Sequence, residues 1–179
     1  MHGQLSQDTQ VGVPASLVWD VYRGLQIGKL IDELLPHVVG RVELVEGDGG
    51  VGTILKVTFP PGTPGASYLK ERFTKIDDNK RIKETEVFEG GYKDLGFHLY
   101  RIRLEIIENG SESTIVRSTI EYDVDDKFAE NASLVTTKSL ETIAEVVGGY
   151  LAEKKATAQS ESGISNTHAQ EATNSTKLS

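Results

Sequence analysis

Two oppositely charged residues are the strongest chemical signal in the chain: Glu71 in "PGASYLKERFTKID" and Lys83 in "RIKETEVFEG". A carboxylate and an ammonium held out of water can divide proton transfer, one taking and the other giving. Both stretches read as strands, whose side chains alternate between faces. In the first, Leu69, Glu71 and Phe73 share one face, and Tyr68, Lys70 and Arg72 the other. The first set is the one a core accepts, so Glu71 is expected to point inward. In the second, Lys83, Thr85 and Val87 oppose Ile82, Glu84, Glu86 and Phe88, which makes Lys83 the inward residue. In "FHLYRIRLEIIE", His98, Tyr100, Ile102, Leu104 and Ile106 fall on the inward parity, with Arg101, Arg103 and Glu105 facing water.

An opposite-charge pair about 4 Å apart attracts by roughly 4 kcal/mol at an effective dielectric of about 20. Burial lowers the lysine pKa and raises that of the glutamate, while pairing opposes both shifts. Paired in this way, Lys83 is expected to stay cationic. It then suits proton donation to a carbonyl or carbinolamine oxygen better than attack as a Schiff-base nucleophile. Glu71 would be the base. A structural ion pair inside a ligand tunnel accounts for the same two residues equally well. Tyr68 sits three residues before Glu71 and so on the opposite parity. A bulge in the irregular "PGTPGAS" lead-in would be needed to turn its phenol inward. His98 reads as a partly buried, satisfied histidine, and His37, after Pro36, as a neighbour of the tunnel mouth. With no cysteine and no HExxH-type spacing, neither a metal site nor a cofactor is expected.

The elements that must position these groups follow from periodicity and punctuation. "QLSQDTQVGVP" is an extended segment. "PASLVWDVYRGLQ" is a short helix with Leu17, Val18, Trp19 and Tyr22 on its buried stripe, and "QIGKLIDELLP" is a second that Pro36 ends. Two strands flank "EGDGGVG". The loop lacks the Lys-Ser/Thr and the following helix that a phosphate loop needs, so it reads as a glycine-rich strand connection. Three more strands and "TIVRSTIEYDV" follow, the last with Val116, Ser118, Ile120 and Tyr122 on one face. From Asp126 to about Lys155 the period becomes helical, with Leu140, Ile143, Ala144, Val147 and Leu151 forming one stripe. The order predicts an α+β fold: a curved antiparallel meander wrapped around a long C-terminal helix, two short helices closing one end, and a hollow at the other. Residues 1–155 form this domain. From 156 to 179 the Ser/Thr/Ala/Asn-rich composition predicts a disordered tail.

The chain has 179 residues and a formal net charge of −8, which argues against nucleic-acid binding. No stretch approaches the roughly 20 apolar residues of a membrane span, and "MHGQLSQDTQ" has no signal-peptide pattern. A cytoplasmic protein, monomeric or weakly dimeric, is expected. The basic cluster Lys80, Arg81 and Lys83 alternates with acids and reads as a solvated hairpin.

The motifs "GDGGVGTILKVTF", "LKERF", "FEGGYKDLG" and "STIEYDV", with the terminal helix, resemble the plant pathogenesis-related class 10 or birch-pollen-allergen family, and within it the norcoclaurine synthase-like branch. The resemblance implies a helix-grip fold with an apolar tunnel. It also implies a lyase of alkaloid biosynthesis that joins an arylethylamine such as dopamine or tyramine to an aromatic aldehyde. The product would be a norbelladine-type imine or a Pictet–Spengler tetrahydroisoquinoline. The branch's tunnel glutamate carries over to Glu71 and its lysine to Lys83. Its aspartate position falls on Ile102 and its tyrosine position on Leu69, with Tyr68 one residue early. The shifted spacing of Tyr68 and Glu71 is expected to weaken cyclisation more than imine formation, and the missing aspartate, replaced by Ile102, favours the non-catalytic role named below. Leu35, Val57, Leu69, Phe73, Val87, His98, Tyr100 and Ile102 would line the ligand site. The alternative implied by the family is a non-catalytic carrier of hormones, flavonoids or other apolar metabolites in defence signalling.

Overall fold

The computed structural model describes the backbone of residues 1–175 and side chains up to residue 163. Strand β1 spans His2–Val11, followed by helices α1 (Ala15–Tyr22) and α2 (Gln26–Leu34). Strands β2 (Arg41–Glu46), β3 (Ile54–Thr58), β4 (Tyr68–Asp77), β5 (Ile82–Gly90), β6 (Phe97–Glu108) and β7 (Thr114–Val124) come next, and helix α3 (Lys138–Ser175) closes the described chain. The strands form one antiparallel sheet in the order β1-β7-β6-β5-β4-β3-β2. Among the described residues, no helix is long and apolar enough to cross a membrane.

The glycine-rich connection between β2 and β3 is a turn, as its lack of a following helix requires. Gly49 has φ +102°, a region that L side chains rarely adopt, and its N–H donates to Thr53 Oγ1 at 2.9 Å. In α1 the buried residues are Ala15, Val18, Trp19, Val21 and Tyr22, whereas Leu17, expected on the stripe, faces solvent. β7 alternates buried and half-buried residues along its whole length, with Val116, Ser118, Ile120 and Tyr122 inward.

Helix α3 begins later than its apolar period predicts. Residues Asp126–Leu134 form 3-10 turns broken at Phe128, whose φ/ψ is non-helical. The β-branched run Val135-Thr136-Thr137 follows, and Thr136 Oγ1 caps the helix by accepting from Lys138 N at 3.2 Å. Ile143, Ala144, Val147 and Leu151 are buried against the sheet, with Leu140 partly so. At Gly148 an added Cβ would lie 2.5 Å from Val11 Cγ1, so α3 approaches β1 more closely than a side chain allows. Leu151 is the last buried side chain of the described part, yet the helix continues to Ser175. Residues 156–175 of the expected tail are therefore helical: Ala156, Ala158, Gln159 and Glu161 favour helix, and no proline interrupts them. Residues 176–179 lie outside the described residues.

The core has two parts. One joins α1, α2 and α3 to Val11, Ile106 and Val116. The other gathers Val87, Phe97, Tyr100, Ile120, Tyr122, Val124 and Val135.

Candidate active site

The β4–β5 hairpin supplies both charged candidates. Its register pairs Glu71 with Val87, Phe73 with Thr85 and Ile76 with Lys83. Each strand carries one extra residue, Phe88 in β5 and Thr74 in β4. These bulges keep Glu71, Phe73, Ile76, Lys83, Thr85 and Val87 on the inner face throughout.

Lys83 is 2% exposed. Its Nζ donates to Tyr22 O at 2.9 Å and to Gly24 O at 3.1 Å, and lies 3.7 Å from the centre of the Phe73 ring. The ammonium thus sits at the carbonyl end of α1, where the helix dipole favours a cation, over an aromatic face. Burial still lowers its pKa to about 8, with Glu71 opposing the fall and Arg23 adding to it. Glu71 keeps some accessible surface although protein surrounds it. Burial raises its pKa, while Lys83 and the Thr85 hydroxyl, which donates to Oε2 at 3.4 Å, pull it back. The expected direct ion pair is absent: no Lys83–carboxylate contact within 4.0 Å occurs among the described residues, because the carbonyls of Tyr22 and Gly24 take the ammonium instead. The two groups act on one another through the field.

Other predicted site residues fall into three groups. Leu69 and Ile102 are half-buried on the inner face beside the second core cluster, and Val57, opposite Leu69, also keeps accessible surface. Val87, Tyr100, Leu35 and Phe73 are buried. Phe73 is 1% exposed, and its ring supports Lys83. Tyr68 and His98 are corrections. The β3–β4 register is unbroken from Tyr68 to Arg72, so no bulge resets the alternation. Tyr68 therefore lies on the outer face, where its hydroxyl donates to Glu89 Oε2 at 3.1 Å. His98 is the extra residue of a bulge between Phe97 and Leu99, which turns it outward to 67% side-chain exposure near Asp125. His37 is exposed as well.

Three contributors escaped the sequence reading. The backbone carbonyls of Tyr22 and Gly24 leave no compositional trace. Thr85 shared a face with Lys83 in the alternation, which was the available signal for its contact with Glu71. Tyr92 stacks on Tyr100 with ring centres 4.2 Å apart and planes 8° from parallel, in a short 3-10 turn, Gly91–Leu95, that no periodicity announces.

A curved sheet packed against a long helix, with a desolvated carboxylate and ammonium on its inner face, defines a helix-grip protein with a polar centre between the sheet and its helices. The chain belongs to the pathogenesis-related protein Bet v 1 family, whose profile matches residues 1–154. It is 50% identical over 155 residues to norbelladine synthase of Narcissus pseudonarcissus, covering 87% of this chain and 95% of that one. It is 41% identical over 154 residues to S-norcoclaurine synthase 2 of Papaver somniferum, covering 85% and 66%. Among solved structures it resembles norcoclaurine synthase from Thalictrum flavum in complex with dopamine and hydroxybenzaldehyde. That match has a TM-score of 0.77 and 32% identity, and covers 86% of this chain and 88% of the other.

Proposed function

We propose that this protein condenses an arylethylamine such as tyramine or dopamine with an aromatic aldehyde and releases the open-chain imine. The observation that carries the reading is the placement of Glu71 and Lys83 on neighbouring strands, both inward and both with pKa values moved toward neutrality by burial. The similarity to norbelladine and norcoclaurine synthases supplies the substrate class.

Two of the three Lys83 N–H groups are held by carbonyls and the ammonium lies over the Phe73 ring, so the third N–H would have to turn from that ring to donate to a substrate oxygen. As the neutral amine attacks the aldehyde carbon, Lys83 protonates the carbonyl oxygen and Glu71 takes a proton from the new ammonium. Glu71 then returns that proton to the carbinolamine hydroxyl. The C–O bond breaks, water leaves, and the nitrogen lone pair forms the iminium. Loss of the iminium N–H proton to neutral Lys83 gives the imine and restores both residues. Cyclisation would need a further acid–base group near the aromatic ring. Ile102, paired with Thr85 across β5 and β6, offers only hydrocarbon there. The imine is therefore the end product.

Tyramine with a hydroxybenzaldehyde, quenched with borohydride, should yield secondary amine well above the uncatalysed rate. Dopamine with 4-hydroxyphenylacetaldehyde should yield tetrahydroisoquinoline at background and racemic. Background rates in both reactions would leave a carrier of apolar metabolites as the family role; enantiomerically enriched cyclised product would reject the imine end point.

A further inference from the structure

The turn of the β4–β5 hairpin begins at Asp78, beyond both charged strands, and reaches α1. Asp78 Oδ1 accepts from Trp19 Nε1 and from Arg23 Nε, each at 2.9 Å, and Oδ2 accepts from Arg23 Nη2 at 3.1 Å. Trp19 and Arg23 are joined by the bond that ends α1, Arg23 N–H to Trp19 O at 2.8 Å. That same turn presents the Tyr22 and Gly24 carbonyls to Lys83. One hairpin therefore grips the end of α1 twice, from its tip through Asp78 and from its flank through Lys83.

We infer that Asp78 is a positioning residue for Lys83: by clamping Trp19 and Arg23 it fixes the carbonyls that hold the ammonium and offsets the guanidinium charge beside it. The inference rests on the proton-donor role proposed above. The charged groups acting on Lys83 are Glu71 from β4 and Arg23 from the end of α1. Tyr22, buried next to it, stays neutral because burial pushes its phenol upward. Arg23 and Asp78 are largely solvent-exposed, so their bare attraction is screened. The bidentate geometry and the indole N–H give the contact its direction.

The test is an NMR titration of the Lys83 ε-methylene in the full chain labelled with 13C-lysine, beside the pH profile of condensation. Asp78→Asn should lower the Lys83 midpoint by about half a pH unit, as one more uncompensated charge nearby requires. Its kcat should fall roughly tenfold with KM little changed, the scale of a displaced catalytic group. Asp78→Glu should recover most of both, and Arg23→Gln should move the midpoint upward. An unmoved midpoint together with an unchanged kcat in Asp78→Asn would overturn the inference. If Asp78→Asn does not fold, Trp19→Phe decides, because it removes the indole bond to Asp78 without changing any charge: a lowered kcat with KM little changed supports the clamp, and a wild-type kcat rejects it. Shifted midpoints in a chain that makes no imine would uphold the clamp and reject the condensing reading instead.

Discussion

Each face of the β4–β5 hairpin carries a glutamate and a lysine, and the two faces treat them oppositely. Outside, Lys70 Nζ meets Glu89 Oε2 at 3.0 Å, and Tyr68 adds its hydroxyl at 3.1 Å. These contacts hold the Glu89 carboxyl below its usual range, fixed in the charged form. Inside, Lys83 and Glu71 make no direct contact, yet burial moves the lysine down and the carboxylate up. A close solvated pair is chemically quiet because each charge stabilises the other. Burial moves the separated, desolvated pair toward the protonation boundary at which proton transfer is easiest. Desolvation, more than proximity, sets the difference between the faces.

The sharpest way to break this contrast is to remove the inner charges. Lys83→Met and Glu71→Gln should each lower kcat/KM for imine formation about a hundredfold or more, with circular dichroism showing an intact fold. Lys70→Ala and Glu89→Gln should leave it at the wild-type level. Comparable losses on both faces would end the distinction.

Stability against pH probes the same contrast without substrate. Unfolded, Lys83 keeps its proton to about pH 10.5, but folded only to about 8. Between those values the unfolded chain binds the extra proton, so stability should rise as pH increases through the window. The gain is about 3 kcal/mol, measured by urea denaturation as the difference between wild type and Lys83→Met. Glu71 acts with the opposite sign at acid pH: folding raises its pKa, so its contribution should fall as pH rises past 4.5. The catalytic profile should decline above about pH 8 as Lys83 loses the proton it donates.

A smaller effect belongs to Thr85. Thr85→Val removes the donor to Glu71 and should raise the carboxyl pKa further, with kcat/KM reduced a few-fold, roughly the worth of one modest hydrogen bond. The smallest lies outside. Tyr68→Phe should leave condensation unchanged, and Lys70→Ala should cost less than about 1 kcal/mol of stability, a difference that added salt erases.

Much of this was legible from alternation. It put Glu71, Lys83 and Thr85 on the inner face and marked the inner residues of β7, because one buried face forces a strict period of two. It failed where the strand itself departs from that period: the bulge at His98 inverts the reading from a single extra residue. It failed again where the partner is backbone. Residue types pointed to a Lys83–Glu71 ion pair, whereas the end of α1 offered carbonyls already in place. The late start of α3 was hidden because apolar spacing alone does not register the β-branched run Val135-Thr136-Thr137. Tyr68 shows the converse, since plain parity gave its true side and the imagined bulge was the error.

The contact between Gly148 and Val11 fixes how closely α3 seats on β1 by the lack of a methyl group. Seated directly on the β1 backbone strand's valine, α3 cannot be drawn closer there, and any bulkier residue at 148 would lever it away.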